Sequence, residues 1–141
     1  VHVYGQQWLW QFEYKNGKKL NNEVVVPVGV PVRLIMTFKD VIHSFYVPSF
    51  RIKQDVIPGR YTDLWFQAEK LGEFHVFCTE YCGLDHSKML ALLKVVPLDE
   101  YEKWLATTVE MAGGPGGIPD WRPPVQALSG LAATSEWAAY P

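Results

Sequence analysis

Apolar and polar residues take turns along most of the first hundred positions, and this period of two limits the fold more than any other feature of the chain. In VRLIMTFK, residues 32 to 39, Val32, Leu34, Met36 and Phe38 fall on one side, with Arg33, Thr37 and Lys39 on the other. A strand sends successive side chains to opposite faces, so the pattern predicts a half-buried strand. In the opening VHVYGQQWLWQFEY, Trp8, Trp10, Phe12 and Tyr14 share one parity and Gln7, Gln11 and Glu13 the other, which reads as one strand. Turn residues then cut the chain at short, even intervals: Asn16-Gly17 within KNGKKLNN, PVGVP at 27 to 31, Pro48, Pro58-Gly59 and Gly72. About eight short strands result, the pattern of an all-β antiparallel sandwich or barrel of Greek-key type.

The period changes at residues 98 to 109, LDEYEKWLATTV. Tyr101, Trp104 and Leu105 stand at i, i+3 and i+4, and Asp99 and Glu100 lie in the first turn, so one helix with acids at its positive end is expected. Beyond it, residues 111 to 141 hold five Gly and five Pro and no periodicity. They read as an extended tail after a single domain of residues 1 to 110, with Trp121, Trp137 and Tyr140 suited to docking.

A net charge of -2 argues against a nucleic-acid partner. No apolar run approaches the ~20 residues that span a bilayer, and no leader peptide is visible, so this segment reads as soluble. The start at Val1 without Met suggests a piece cut from something longer.

Both cysteines of the chain lie in CTEYCGLDHSKM, residues 78 to 89. A disulfide between Cys78 and Cys82 would close a very small ring and gain little chain entropy. A thioredoxin-like site would need CxxC at a helix start inside a βαβ unit, and neither is present. Cys78, Cys82, His86 and Met89 follow one another at intervals of four, four and three. Thiolate, imidazole and thioether together favour copper over magnesium or calcium, and the thioether disfavours zinc. A mononuclear blue-copper site needs one Cys, so the second is informative: two neighbouring thiolates can bridge two metal ions. Copper chemistry also wants a second imidazole. His43 in DVIHSF is the preferred donor; His2 and His75 read as ordinary strand histidines, His75 with parity opposite to Cys78.

CTEYCGLDHSKM, with DVIHSFYVPSFRIKQDVIPGRYTDLWF and GQQWLWQFEY upstream, closely resembles subunit II of the haem–copper cytochrome c oxidases, in unbroken order over residues 1 to 108. The resemblance implies a cupredoxin β-barrel carrying the binuclear copper centre CuA. It also implies a place on the outer, positive side of the membrane, either the periplasmic face of a bacterial inner membrane or the mitochondrial intermembrane-space side. Carried over position by position, Cys78 and Cys82 would bridge two coppers, His43 and His86 would bind one each, and Met89 would be a weak ligand. Glu80 would offer its backbone carbonyl to copper and its carboxylate to a magnesium ion shared with subunit I. Asp40, three residues before His43, and Asp85, next to His86, are candidates to hydrogen-bond the ligands, the alternative being solvated turn carboxylates. Trp8 would match the residue through which electrons enter, with Trp10 as packing. The implied partners are subunit I, other oxidase subunits and a cytochrome c-type donor. Membrane attachment would come from amino-terminal helices absent from this sequence or from partner subunits.

Some features depart from that family. KNGKKLNN is basic where an acidic docking patch would serve a cationic cytochrome, so a tethered or mainly apolar donor is an alternative. Leu9 replaces a residue that is often Tyr, and the tail has no counterpart. No CxxCH occurs, so no covalent haem is carried. Rival readings are the CuA domain of a nitrous oxide reductase, where Glu80 would typically be Trp, a CuA-bearing nitric oxide reductase subunit, a mononuclear copper chaperone, and a plain structural sandwich.

Overall fold

The computed structural model describes residues 1 to 107 of the 141; the domain limit expected at 110 and the tail expected from 111 lie outside them. Ten strands run in chain order: β1 His2–Gln6, β2 Leu9–Glu13, β3 Lys19–Asn21, β4 Glu23–Pro27, β5 Pro31–Phe38, β6 His43–Val47, β7 Ile52–Val56, β8 Thr62–Gln67, β9 Gly72–Cys78 and β10 Leu90–Val96. Helix α1 follows at Leu98–Ala106. They form two five-stranded sheets, ordered β3-β2-β1-β5-β8 and β4-β10-β9-β6-β7.

Strand β5 behaves as its alternation predicts, with Val32, Leu34, Met36 and Phe38 all buried. These face inward residues of the second sheet, among them Phe45, Val76 and Leu93, and one apolar core lies between the layers.

Three expectations about the strands are corrected. The opening segment is two strands, not one: β1 and β2 pair antiparallel around Gln7 and Trp8, with Gly5 opposite Trp10. The buried parity therefore changes across the turn, from Val3 and Gly5 to Trp10 and Phe12. KNGKKLNN is part turn and part strand, because Lys19–Asn21 pairs with Gln11–Glu13. The sheets are also mixed, not purely antiparallel. β1 runs parallel to β5, and β10 parallel to β4, which the spacing of strands along a sequence does not reveal.

α1 ends at Ala106 rather than 109. Its buried residue Trp104 meets Tyr14 edge-on at 5.0 Å, and the Lys18 ammonium lies 4.2 Å from the Trp104 ring centre. Asn16 donates to the Leu105 carbonyl, and Lys18 to that of Trp104. The turn after β2 thus supplies side-chain donors to the last carbonyls of the helix, where that of Trp104 also accepts from Thr107.

Candidate metal centre

The antiparallel pairing of β6 with β9 closes the gap of thirty-five residues between His43 and Cys78. Cys78, the last residue of β9, lies opposite Phe45, and His43 opens β6 two residues earlier, on the same face. After Cys78 the chain leaves the sheet, held at once by the Thr79 amide donating to the Ser44 carbonyl at 3.1 Å. A loop carries Cys82, a 3-10 turn at His86–Lys88 carries His86, and Met89 sits at its end before β10 begins. The His86 amide donates to the Gly83 carbonyl and that of Met89 to the His86 carbonyl, which folds the loop back on itself.

The potential donor atoms converge. His43 Nδ1 is 3.6 Å from Cys78 Sγ, Cys78 Sγ is 3.7 Å from Cys82 Sγ, and Cys82 Sγ is 3.4 Å from His86 Nδ1. The Glu80 carbonyl oxygen lies 3.3 Å from Cys78 Sγ, and Met89 Sδ lies 3.9 Å from Cys82 Sγ. The two cysteines are free thiols, since a disulfide would require ~2.05 Å between the sulfurs. His43, Cys78 and Cys82 form a buried group able to hold a metal ion, their ligating atoms within 4.8 Å of one another.

The surroundings orient these donors. His43 is fully buried, stacked on Phe38 at 4.3 Å, and its Nε2 is 3.0 Å from Asp40 Oδ1. That bond leaves Nδ1 as the nitrogen facing the thiols. Burial pushes the Asp40 carboxyl up, but bonds from His43, Gln7 and Val41 prevail and hold it below its usual range. Burial lowers the His43 imidazole, yet Cys78 and Asp40 raise it further, and the net shift is upward. For Cys78, burial acts upward and is outweighed by hydrogen bonds from His43 and the backbone, bringing the thiol down to about 7. Burial and the neighbouring Cys78 push Cys82 up to about 12. The apo pair therefore gives up one proton easily and keeps the other.

Asp85 does not reach a ligand ring. Its carboxylate pairs with Lys88 at 2.9 Å. Trp10 is fully buried, packs edge-on against Phe38 and Phe45, and donates from Nε1 to the Met89 carbonyl at 3.4 Å. Trp8 is half-buried in the β1–β2 turn, its indole N–H buried without a hydrogen-bond partner among the described residues.

Sequence reasoning missed two glycines that make room here. A Cβ on Gly5 would fall 1.3 Å from Phe38 Cε1, so this glycine admits the ring that stacks on His43. Gly83 has φ +121°, and a Cβ there would stand 3.0 Å from Gln7 Nε2 and 3.2 Å from Trp8 Cζ2. A glycine inside a strand is a known sign of close approach, and Gly5 carried that signal.

A donor set of two thiols, two imidazoles, a thioether and a carbonyl, packed this closely and largely buried, suits soft metals. The comparisons agree. Residues 18–96, more than half of the chain, match the family model of cytochrome c oxidase subunit II, periplasmic domain. A cytochrome c oxidase subunit 2 from Synechocystis sp. is 41% identical over 106 residues, 75% of this chain and 32% of the relative, so the chain spans about a third of that protein's length. The solved periplasmic domain of subunit II of cytochrome oxidase from Bradyrhizobium japonicum superposes with a TM-score of 0.71 at 36% identity, over 79% of this chain and 90% of that one. A mixed-disulfide intermediate between a thioredoxin-like protein and subunit II of cytochrome c oxidase gives 0.70 at 33% identity, over 79% and 91%. The chain belongs to the cytochrome c oxidase subunit II family, and the part that matches is the periplasmic domain.

Proposed function

We propose that this chain carries electrons into a cytochrome c oxidase, from a cytochrome c-type donor to the haem of subunit I, where oxygen is reduced and protons are pumped. The observation that carries the reading is the unbroken series of contacts from His43 through Cys78 and Cys82 to His86, which sets two sulfurs between two imidazoles. Two copper ions, when bound, would supply a one-electron redox couple. Cys78 and Cys82 would bridge them, His43 and His86 would hold one each, Met89 would be the weak thioether ligand and Glu80 would offer its carbonyl. The Glu80 side chain is exposed, and we assign it to a magnesium ion shared with subunit I.

The chain's own contribution is rigidity and exclusion of water. Cys78 is fixed by the β6–β9 pairing, His43 by Asp40 and Phe38, and Met89 by the Trp10 indole. Ligands that are already in place move little when an electron arrives or leaves, and small rearrangement favours fast transfer at small driving force. Trp8, in the turn beside the cysteine loop, is assigned as the point where electrons enter. The fold that goes with this reading is the cupredoxin Greek-key barrel, on the outer side of the membrane. No helix among the described residues is long and apolar enough to cross one.

The two thiols must be reduced before metal enters, because a Cys78–Cys82 disulfide would consume both bridging ligands. The mixed disulfide solved for a relative supports reduction by a thioredoxin-like protein. Cys82→Ser tests the bridge: it replaces one of two soft thiolates by a hard, far less acidic hydroxyl, so the variant is expected to lose the two-copper spectrum. A two-copper spectrum from Cys82→Ser would overturn the assignment.

A further inference from the structure

The two halves of the centre come from separate parts of the chain. His43 opens β6, whereas Cys82 and His86 lie on the loop between β9 and β10, and residues 80 to 85 of that loop belong to no strand. Gln7, in the β1–β2 turn of the other sheet, touches both. Its backbone N–H donates to Asp40 Oδ2, while Asp40 Oδ1 lies on His43 Nε2. Its side-chain Nε2 donates to the Cys82 carbonyl at 2.8 Å. Gly83 leaves the space for this, since a Cβ there would press on Gln7 Nε2 at 3.0 Å.

We propose that Gln7 is a positioning residue of the metal centre, a strap that sets the Cys82–His86 half against the His43 half. The inference rests on the two-metal reading above. Gln7 is an exposed residue, and a free glutamine side chain on a turn would keep its rotamer freedom. Here its amide is committed to a carbonyl of a metal-binding residue, and its main chain to the carboxylate that orients the buried imidazole. Partners that orient ligands, though they touch no metal, typically alter metal affinity by 10–100-fold when removed.

The test compares unmutated protein with Gln7→Ala, Gln7→Glu and the neighbouring control Gln6→Ala, each loaded with copper. Gln7→Ala removes the donor. Gln7→Glu keeps the size and sets an oxygen against the Cys82 carbonyl. Both are expected to keep two coppers, to lose copper to a chelator about 10-fold faster, and to show unequal copper hyperfine couplings by EPR; Gln6→Ala should match the parent. Urea unfolding of the metal-free forms separates position from stability. Unchanged couplings and loss rates in the Gln7 variants, with or without a lower urea midpoint, would overturn the proposal. So would failure of both variants to fold, which would make Gln7 a folding residue. A parent protein holding a single copper would overturn the two-metal reading and this one with it, whereas a two-copper parent with unaffected Gln7 variants overturns this one alone.

Discussion

Asp40→Ala removes the group on which the orientation of His43 depends. The carboxylate accepts from the Val41 amide at 2.7 Å, from the Gln7 amide, and faces His43 Nε2 at 3.0 Å. The three losses are unequal. Val41 and Gln7 are exposed and their amides can turn to water. His43 is fully buried, so its Nε2–H is left without a partner, at a cost of about 1–3 kcal/mol. A total near 2 kcal/mol follows, mostly from that one atom, and for a domain of this size it lowers Tm by roughly 8–15 °C. The imidazole is also released to place its proton on Nδ1, the nitrogen facing Cys78, so copper retention is expected to fall about 10–100-fold. Metal-free protein under reducing conditions, unfolded by heat and by urea, gives the first quantity, and a chelator competition gives the second. Asp40→Asn should fall between: it keeps an oxygen for His43 and Val41 but turns an amide N–H toward that of Gln7. An Asp40→Ala protein with the parent's midpoint and the parent's copper retention would refute the reasoning.

Met89→Leu should keep two coppers and shift the reduction potential, because a thioether at the end of a 3-10 turn tunes the site without holding it; loss of all copper on dialysis would contradict this. Gly83→Ala forces a side chain into φ +121° and against Gln7 and Trp8, and is expected to lower apo stability by about 1–3 kcal/mol in urea; an unchanged midpoint would count against the close packing of turn and loop. The cysteines give the apo protein a pH signature. Cys78 falls from its ordinary 9.0 to about 7, so between those values the native state has lost a proton that the unfolded chain keeps, and stability rises with pH. Cys82 rises from 9.0 to about 12, so above 9.0 the unfolded chain loses a proton that the native state keeps, and stability falls. Measured as the difference from a Cys78→Ser/Cys82→Ser protein, stability should peak near pH 9, and a flat difference would show that the thiols are not perturbed.

Much of the site could be read from the sequence because its chemistry is concentrated in twelve residues. Cys78, Cys82, His86 and Met89 announce themselves by ligand type and spacing, and the structure brings them together with His43. The alternation in β5 was equally plain, since each inward residue there is large and apolar. The hairpin at Gln7 and Trp8 was hidden for a physical reason. The turn lacks Asn-Gly or any glycine at its tip, and the even-numbered aromatic stripe continues through it without a visible break. Parallel pairing of β1 with β5 and of β4 with β10 escaped because it depends on long crossovers, which leave no local mark. Gln7 was illegible for a different reason: it acts through a main-chain N–H and on a main-chain oxygen, and neither depends on a recognisable side-chain pair. Asp85 illustrates the converse, a carboxylate next to a candidate ligand in sequence whose partner is a lysine three residues on.

Copper stoichiometry of the reconstituted domain, read together with its EPR spectrum, tests the central claim most directly. On the proposed reading of two sulfurs set between two imidazoles, two coppers per chain are expected, with a hyperfine pattern in which one electron is shared equally by both nuclei. One copper per chain, or the four-line spectrum of a single copper nucleus, would contradict it.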